Sequence, residues 1–316
     1  MTPSDIHTTE HRITVDAPAP AVFGLLAEVD NWPRVFPPTV HVDCVERGEA
    51  DERIRIWATA NDEIKTWTSR RELDRDRLRI RFRQEVSQHP VAAMAGEWRI
   101  EALPDGRSTV LLTHDFRAVG DTADNVAWIQ QAIDRNSDAE LGALALAARH
   151  RQHREDLLLC FEDCARVAGS AKDVYDFIHQ AQHWPERLPH VARVVLEEGT
   201  VNVQMLEMDT RAPDGSVHTT KSVRICFPDN KIVYKQLRTP ALMSLHTGQW
   251  QITQDHNAAV ITSSHTVVVN PDAVRTVLGA QATTADARAF LRDALGRNST
   301  TTMQHAKAYA EHATDR

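Results

Sequence analysis

The sequence predicts an α+β chain built as two tandem copies of one architecture, each an antiparallel sheet curled around a long C-terminal helix. Three observations carry that expectation. Runs with a two-residue apolar alternation follow one another after a pair of short helices, each run ended by turn residues. A stretch dominated by Ala, Leu, Gln and Arg then reads as one long helix. The whole pattern starts again about 150 residues later.

Residues 10–16 form an opening strand that ends at Pro18 and Pro20. Pro20 suits the first turn of a short helix with Val22, Phe23, Leu25 and Leu26 as its apolar residues, because an N–H given up there has no helical partner in any case. Asn31-Trp32-Pro33 stops that helix, and a second short turn runs to Pro37-Pro38. Strands are expected over residues 40–46, 53–60, 64–73, 78–85, 94–102 and 108–118. Arg47-Gly48, Asn61-Asp62, Asp74-Arg75-Asp76 and Pro104-Asp105-Gly106 supply the turns between them. A helix from residue 122 to about 156 closes the unit. A sheet curled over one helix leaves an internal space lined by the inward residues of both.

The repeat is carried by short motifs in the same order. Asn31-Trp32-Pro33 returns as His183-Trp184-Pro185, and Ser69-Arg70-Arg71 as Ser222-Val223-Arg224. Gly96-Glu97-Trp98 returns as Gly248-Gln249-Trp250, His114 near His265, and Arg135-Asn136-Ser137 as Arg297-Asn298-Ser299. The spacing lengthens by about ten residues only at the last helix. Asp214-Gly215 reads as a turn peculiar to the second copy. Domains are therefore expected over residues 1–155 and 156–316, joined near residues 151–158 without a Gly, Ser or Pro linker.

Composition narrows the function classes. A net charge of −8 over 316 residues argues against a nucleic-acid binder. No apolar run approaches the ~20 residues of a membrane span, and the polar N-terminus lacks a signal-peptide core, so a cytoplasmic protein with no membrane partner is expected. The four cysteines form neither a disulfide scaffold nor a Cys-x-x-Cys pair. Cys160 and Cys164 stand one helical turn apart beside Leu157 and Phe161, so burial on a helix face is expected rather than metal binding. His150 and His153 lack a credible third ligand, and no metal site is expected.

Read with the strand period, Trp67, Ser69, Arg71 and Leu73 face inward while Thr66, Thr68, Arg70 and Glu72 face water. An inward guanidinium has two readings: it pairs with a core carboxylate, or it faces a cavity and meets ligand oxygens. The same period brings His114 inward among Trp67, Phe82, Trp98 and Phe116. Trp32, at a proline bend, suits a pocket mouth.

These motifs resemble the bacterial type II polyketide aromatase/cyclases, and the duplication resembles their di-domain members. The resemblance implies the helix-grip fold shared with START and Bet v 1-like domains. It implies a poly-β-ketone borne by an acyl carrier protein, closure of its first ring by aldol condensation, and dehydration to an aromatic ring. It favours C7–C12 closure of a C9-reduced chain, implies no cofactor, and makes the other components of a type II polyketide synthase the partners. Residue by residue it gives Arg71, Ser69 and Trp67 on one strand, Trp32 near the entrance, His114 at a polar pocket position and Asn136 on the helix. With the inward Phe82 and Trp98 of the strand reading, the expected catalytic set is Arg71, Ser69 and His114, and Trp32, Trp67, Phe82, Trp98 and Asn136 surround the substrate. A family tyrosine seven residues after Trp32 is Thr39 here. The second pocket is expected around Trp184, Ser222, Arg224 and Trp250, with Thr220 where the first half has Trp67.

In that scheme Arg71 stabilises the developing oxyanion, Ser69 orients it, and His114 shuttles protons during dehydration. The main reaction is placed in the first half. The basic stripe Arg75, Arg77, Arg79, Arg81 and Arg83 reads either as a solvated strand face or as a surface for an acidic carrier protein. A non-catalytic carrier of a hydrophobic ligand is the alternative from another class.

Overall fold

The N-terminal strand β1 (His7–Val15) alternates half-buried and exposed residues and ends on the buried Val15. Pro18 ends it and caps α1 (Ala19–Ala27), which has a proline in its first turn and buries Val22, Phe23 and Leu26. A 3₁₀ turn and α2 (Trp32–Val35) follow, then β2 (Thr39–Arg47), β3 (Asp51–Ala60), β4 (Glu63–Asp74), β5 (Arg79–Val86), β6 (Val91–Ala102), β7 (Ser108–Ala118) and α3 (Ala123–Arg149). The computed structural model describes residues 6–60, 63–149, 154–212 and 215–314. Chain contacts divide it into two units, Met1–Gln152 and His153–Arg316.

In the first unit the sheet order is β1-β7-β6-β5-β4-β3-β2, with every neighbouring pair antiparallel. β1 and β2 are thus the two edges, and α1 and α2 make the crossing between them. Leu141 and Leu144 of α3 pack with Val22, Phe23, Leu26, Phe36, Ile80 and Trp98 in the main core. The earlier turns of α3 carry Ile129 and Ile133, which pack with Phe116.

The second unit repeats this plan. After a helical turn, α4 (Arg154–Leu157), come β8 (Leu158–Val167), α5 (Ala171–His179), α6 (Trp184–Arg187), β9 (Val191–Thr200), β10 (Val203–Arg211), β11 (Val217–Phe227), β12 (Lys231–Arg238), β13 (Met243–Asp255) and β14 (Ala258–Val269). Its sheet order, β8-β14-β13-β12-β11-β10-β9, is the first unit's order one repeat later. An added helix, α7 (Pro271–Leu278), precedes α8 (Thr284–Thr314), and it accounts for the longer spacing before the last helix. Gly215 sits at φ +84°, the left-handed region that glycine favours, while Asp214 of the expected turn lies outside the described residues.

Two local expectations are corrected. Cys160 and Cys164 lie on the strand β8, not on a helix, and both are exposed. A spacing of four places two residues on one face of a strand as well as of a helix, so spacing alone did not distinguish them. The first long helix, expected to run on to about residue 156, is described only as far as Arg149, and strand structure begins at Leu158. His150 and His153 lie outside the described residues. No helix among the described residues is long and apolar enough to cross a membrane.

Candidate active site

In the first unit a cavity of about 140 Å³ lies between the sheet and α3. The helix presents Ile129, Ala132, Ile133, Asn136, Ser137 and Glu140 to it, a stripe at the three-to-four residue spacing of one helix face. The sheet side supplies Ile56, Ala58, Trp67 and Met94, and Trp32 closes over from α2. Four titratable side chains line the cavity, Lys65, His89, His114 and Glu140, and burial acts strongly on the last two. Burial holds the His114 imidazole down to about 4, helped by His11 and opposed by Asp134, so it is neutral near pH 7. Its Nδ1 has no hydrogen-bond partner, and the Phe82 ring meets it edge-on at 5.5 Å. Burial pushes the Glu140 carboxyl up to about 7. It is partly accessible by surface area, yet its carboxyl is deeply desolvated.

Arg71 is 1% exposed and does not line this cavity. Of the two readings open to an inward arginine, the structure has the paired one. Nη1 donates to Glu52 Oε1 at 2.6 Å, and Nη2 donates to the Leu26 carbonyl at 2.7 Å. The Leu26 carbonyl belongs to the last turn of α1, where helix carbonyls lack helical partners and a cation is favoured. Trp32 Nε1 donates to the same carbonyl at 3.1 Å, and the Arg71 guanidinium stacks 4.8 Å from the Trp32 ring. Burial lowers the Arg71 pKa to about 10, with Glu52 opposing, so the group remains charged. Ser69 also lies behind the cavity wall; its hydroxyl donates to the Arg83 carbonyl at 3.1 Å.

Of the residues expected around the substrate, Trp32, Trp67 and Asn136 line the cavity, whereas Phe82 and Trp98 pack behind it. Asn136 Nδ2 donates to the Thr59 carbonyl at 3.1 Å, tying α3 to the end of β3. Phe82 lies flat across the sheet because Gly96 is its cross-strand partner; a Cβ there would touch the ring. Trp98 is buried against Phe36 near the helix-plugged end.

The second unit holds a matching cavity of about 130 Å³, lined by all four expected residues, Trp184, Ser222, Arg224 and Trp250. Arg224 stacks 5.2 Å from Trp184 and donates to the Ile178 carbonyl at 2.6 Å, as Arg71 does to Leu26. The carboxylate is missing. Glu52 faces Arg71 across β3 and β4, and the residue facing Arg224 in the same register is Gln204. Among the described residues no carboxylate lies within ion-pair distance of Arg224, and burial lowers its pKa, with the Glu198 charge among the opposing causes. Among the described residues no three His, Cys, Asp or Glu side chains converge as a metal site requires.

Models of the family described as polyketide cyclase/dehydrase and lipid transport match residues 7–149 and again residues 167–292. The granaticin polyketide synthase bifunctional cyclase/dehydratase of Streptomyces violaceoruber is 47% identical over 98% of this chain and 95% of its own. The chain belongs to the polyketide cyclase/dehydrase family. The actinorhodin polyketide synthase bifunctional cyclase/dehydratase of Streptomyces coelicolor is also 47% identical, over 96% of this chain and 97% of its own. Among solved structures, the di-domain ARO/CYC BexL of the BE-7585A pathway superimposes with a TM-score of 0.86 at 53% identity, covering 96% of this chain and 99% of its own. The di-domain ARO/CYC StfQ of the steffimycin pathway gives 0.86 at 37% identity, covering 98% and 100%. This cyclase/dehydratase therefore has the helix-grip fold in both halves.

Sequence reasoning missed Glu140, the cavity's one raised carboxyl among the described groups. A signal was present: Glu140 stands one helical turn beyond Asn136, on the same face of α3.

Proposed function

We propose that this cyclase/dehydratase acts on a poly-β-ketone borne by an acyl carrier protein of a type II polyketide synthase, closing its first ring between C7 and C12 before dehydration. The observation that carries the reading is the first cavity, where a neutral imidazole and a carboxyl poised near neutrality sit in a mainly apolar chamber whose lining also includes Lys65, Gln84, Gln88 and His89. Aldol closure needs a base for an α C–H and an acid for the ketone oxygen that becomes a hydroxyl. Glu140, with a pKa near the working pH, is suited to both directions of proton transfer, and His114, kept neutral by burial, is suited to hydrogen-bonding a ketone oxygen. A carrier of hydrophobic ligands needs neither group and leaves its ligand unchanged.

The pairing of Arg71 with Glu52 supports a different role for the arginine strand from the one the resemblance implies. Arg71 and Ser69 act as supports: Arg71 fixes Trp32 and the end of α1, so that the aromatic wall holds the folded chain in one shape. Regiochemistry then follows from the wall positions of Trp32 and Trp67. The carrier is placed at the basic stripe of β5 and its preceding turn, where Arg81 and Arg83 are exposed.

Product analysis tests this reading. Purified enzyme is added to a minimal synthase and a ketoreductase, and the products are compared with those formed without it. A shift to a C7–C12 first-ring aromatic product is expected. An unchanged product mixture, with the added enzyme folded, overturns the proposal.

A further inference from the structure

The second cavity contains a buried set of groups that the first lacks. Register fixes the correspondence: Tyr234 pairs with Gly248 and Gly248 with His265, as Phe82 pairs with Gly96 and Gly96 with His114. Tyr234 therefore stands in the place of Phe82. His246, two residues before its glycine, stands in the place of Met94. Both line the cavity, as does His265.

These groups touch in series. His246 Nε2 lies 3.0 Å from His265 Nδ1, and His265 Nε2 lies 3.1 Å from Ser263 Oγ. The Tyr234 hydroxyl lies 3.2 Å from His265 Nδ1 and 3.5 Å from His246 Nε2. His246 is 2% exposed, and its Nδ1 has no partner. One tautomer set satisfies the chain: His246 Nε2–H donates to His265 Nδ1, and His265 Nε2–H donates to Ser263. That set leaves a bare lone pair on His246 Nδ1 and a proton on the Tyr234 phenol. A base and an acid then share one chamber with the Ser222 hydroxyl and with Arg224, whose guanidinium is held by the Ile178 and His179 carbonyls.

We propose that the second cavity is a separate dehydration chamber for a cyclic β-hydroxy ketone, with His246 as the base and Tyr234 as the acid. This rests on the cyclase/dehydratase reading above and assigns its second step to the second half of the chain. His246 Nδ1 removes the proton α to the ketone, and the electron pair of that C–H bond becomes the new α,β double bond. The β C–O bond breaks, and the hydroxyl leaves as water with the phenol proton. His246 Nε2–H then returns a proton to the phenolate across the Tyr234 contact, which leaves His246 as its Nδ1–H tautomer, and proton exchange with water restores the starting tautomer before the next turnover. Arg224 and Ser222 face the ketone oxygen, where negative charge develops as the α proton leaves. Burial holds His246 down to about 3 and His265 to about 4, so both are neutral bases near pH 7, and it raises the Tyr234 phenol, so the acid stays protonated.

The first half supplies the test substitutions, since the same fold carries Phe and Met at these places. Tyr234→Phe and His246→Met are made in the full chain and assayed with the minimal synthase and ketoreductase. The readout is the mass-resolved ratio of cyclised alcohol, heavier by one water, to aromatic product, corrected for its spontaneous loss of water without enzyme. Each variant is expected to raise that ratio at least tenfold. Thermal unfolding is measured on both, and if one melts well below wild type the other carries the test. A wild-type ratio in a folded variant overturns the inference, as does loss of cyclised and aromatic products together, which places ring closure in this cavity. Wild-type enzyme that leaves the synthase products unchanged overturns the cyclase/dehydratase reading itself, and the inference with it.

Discussion

Replacing Glu140 with Gln keeps the shape of the side chain and removes its titration. The folded protein holds the Glu140 proton up to about pH 7, whereas an unfolded glutamate loses it near 4.5. Between those values the folded state binds more protons than the unfolded state, so this group's contribution to stability falls as pH rises and is constant above about 7. A shift of this size corresponds to about 3 kcal/mol at full desolvation. Discounted for the partial access of the side chain, about 1–2 kcal/mol remains. The buried imidazoles run the other way. His114, His246 and His265 are depressed by burial, so their contribution is present above about 6.5 and is lost as pH falls towards 4 and below. The wild-type curve alone is a sum of opposing terms, and the difference between Glu140→Gln and wild type isolates one of them. Urea unfolding of both proteins at pH 5 and at pH 8 is the assay. The variant is expected to gain about 1–2 kcal/mol on wild type between the two conditions. A difference that does not change with pH, or that changes in wild type's favour, refutes the picture of a buried, protonated Glu140.

Other predictions follow from the same contacts. Glu52→Gln strips the buried Arg71 of its counter-charge and is expected to destabilise the protein by about 3–5 kcal/mol in urea unfolding, because an uncompensated charge is left inside. Gly248→Ala places a Cβ against the Tyr234 hydroxyl and 2.7 Å from the Ser264 carbonyl, so a melting-temperature drop matching about 1–3 kcal/mol is expected. Replacing Arg79, Arg81 and Arg83 with Ser is expected to weaken carrier-protein binding at least tenfold at low salt in a titration. Unchanged binding removes the carrier from that face.

Much of the fold was legible because period-two alternation, turn residues and a duplicated set of motifs all pointed the same way. The inward direction of Arg71 was legible from Trp67-Thr68-Ser69-Arg70-Arg71, but its partner was not. Glu52 lies on the neighbouring strand, before the residues that read as strand-like, and only the hairpin register sets the two opposite each other. Phe82 and Trp98 alternate correctly, yet alternation cannot say that Gly96 lets a ring lie flat on the sheet or that a tryptophan sinks among helix residues. Glu140 was hidden in an Ala-rich helix whose composition predicts the helix strongly and its cavity face weakly. Tyr234 and His246 were accessible by counting from Gly248. The repeat marks what the halves share, whereas Tyr234 and His246 belong to what they do not.

The central claim is that the ring closes in the first cavity. Product analysis of Glu140→Gln beside Arg224→Ala, each folded and assayed with the minimal synthase and ketoreductase, tests it most directly. Glu140→Gln is expected to lower first-ring closure by about a hundredfold, the usual scale of a lost proton-transfer group, while Arg224→Ala still forms cyclised product. Full ring closure by Glu140→Gln, with closure lost in Arg224→Ala, would contradict it.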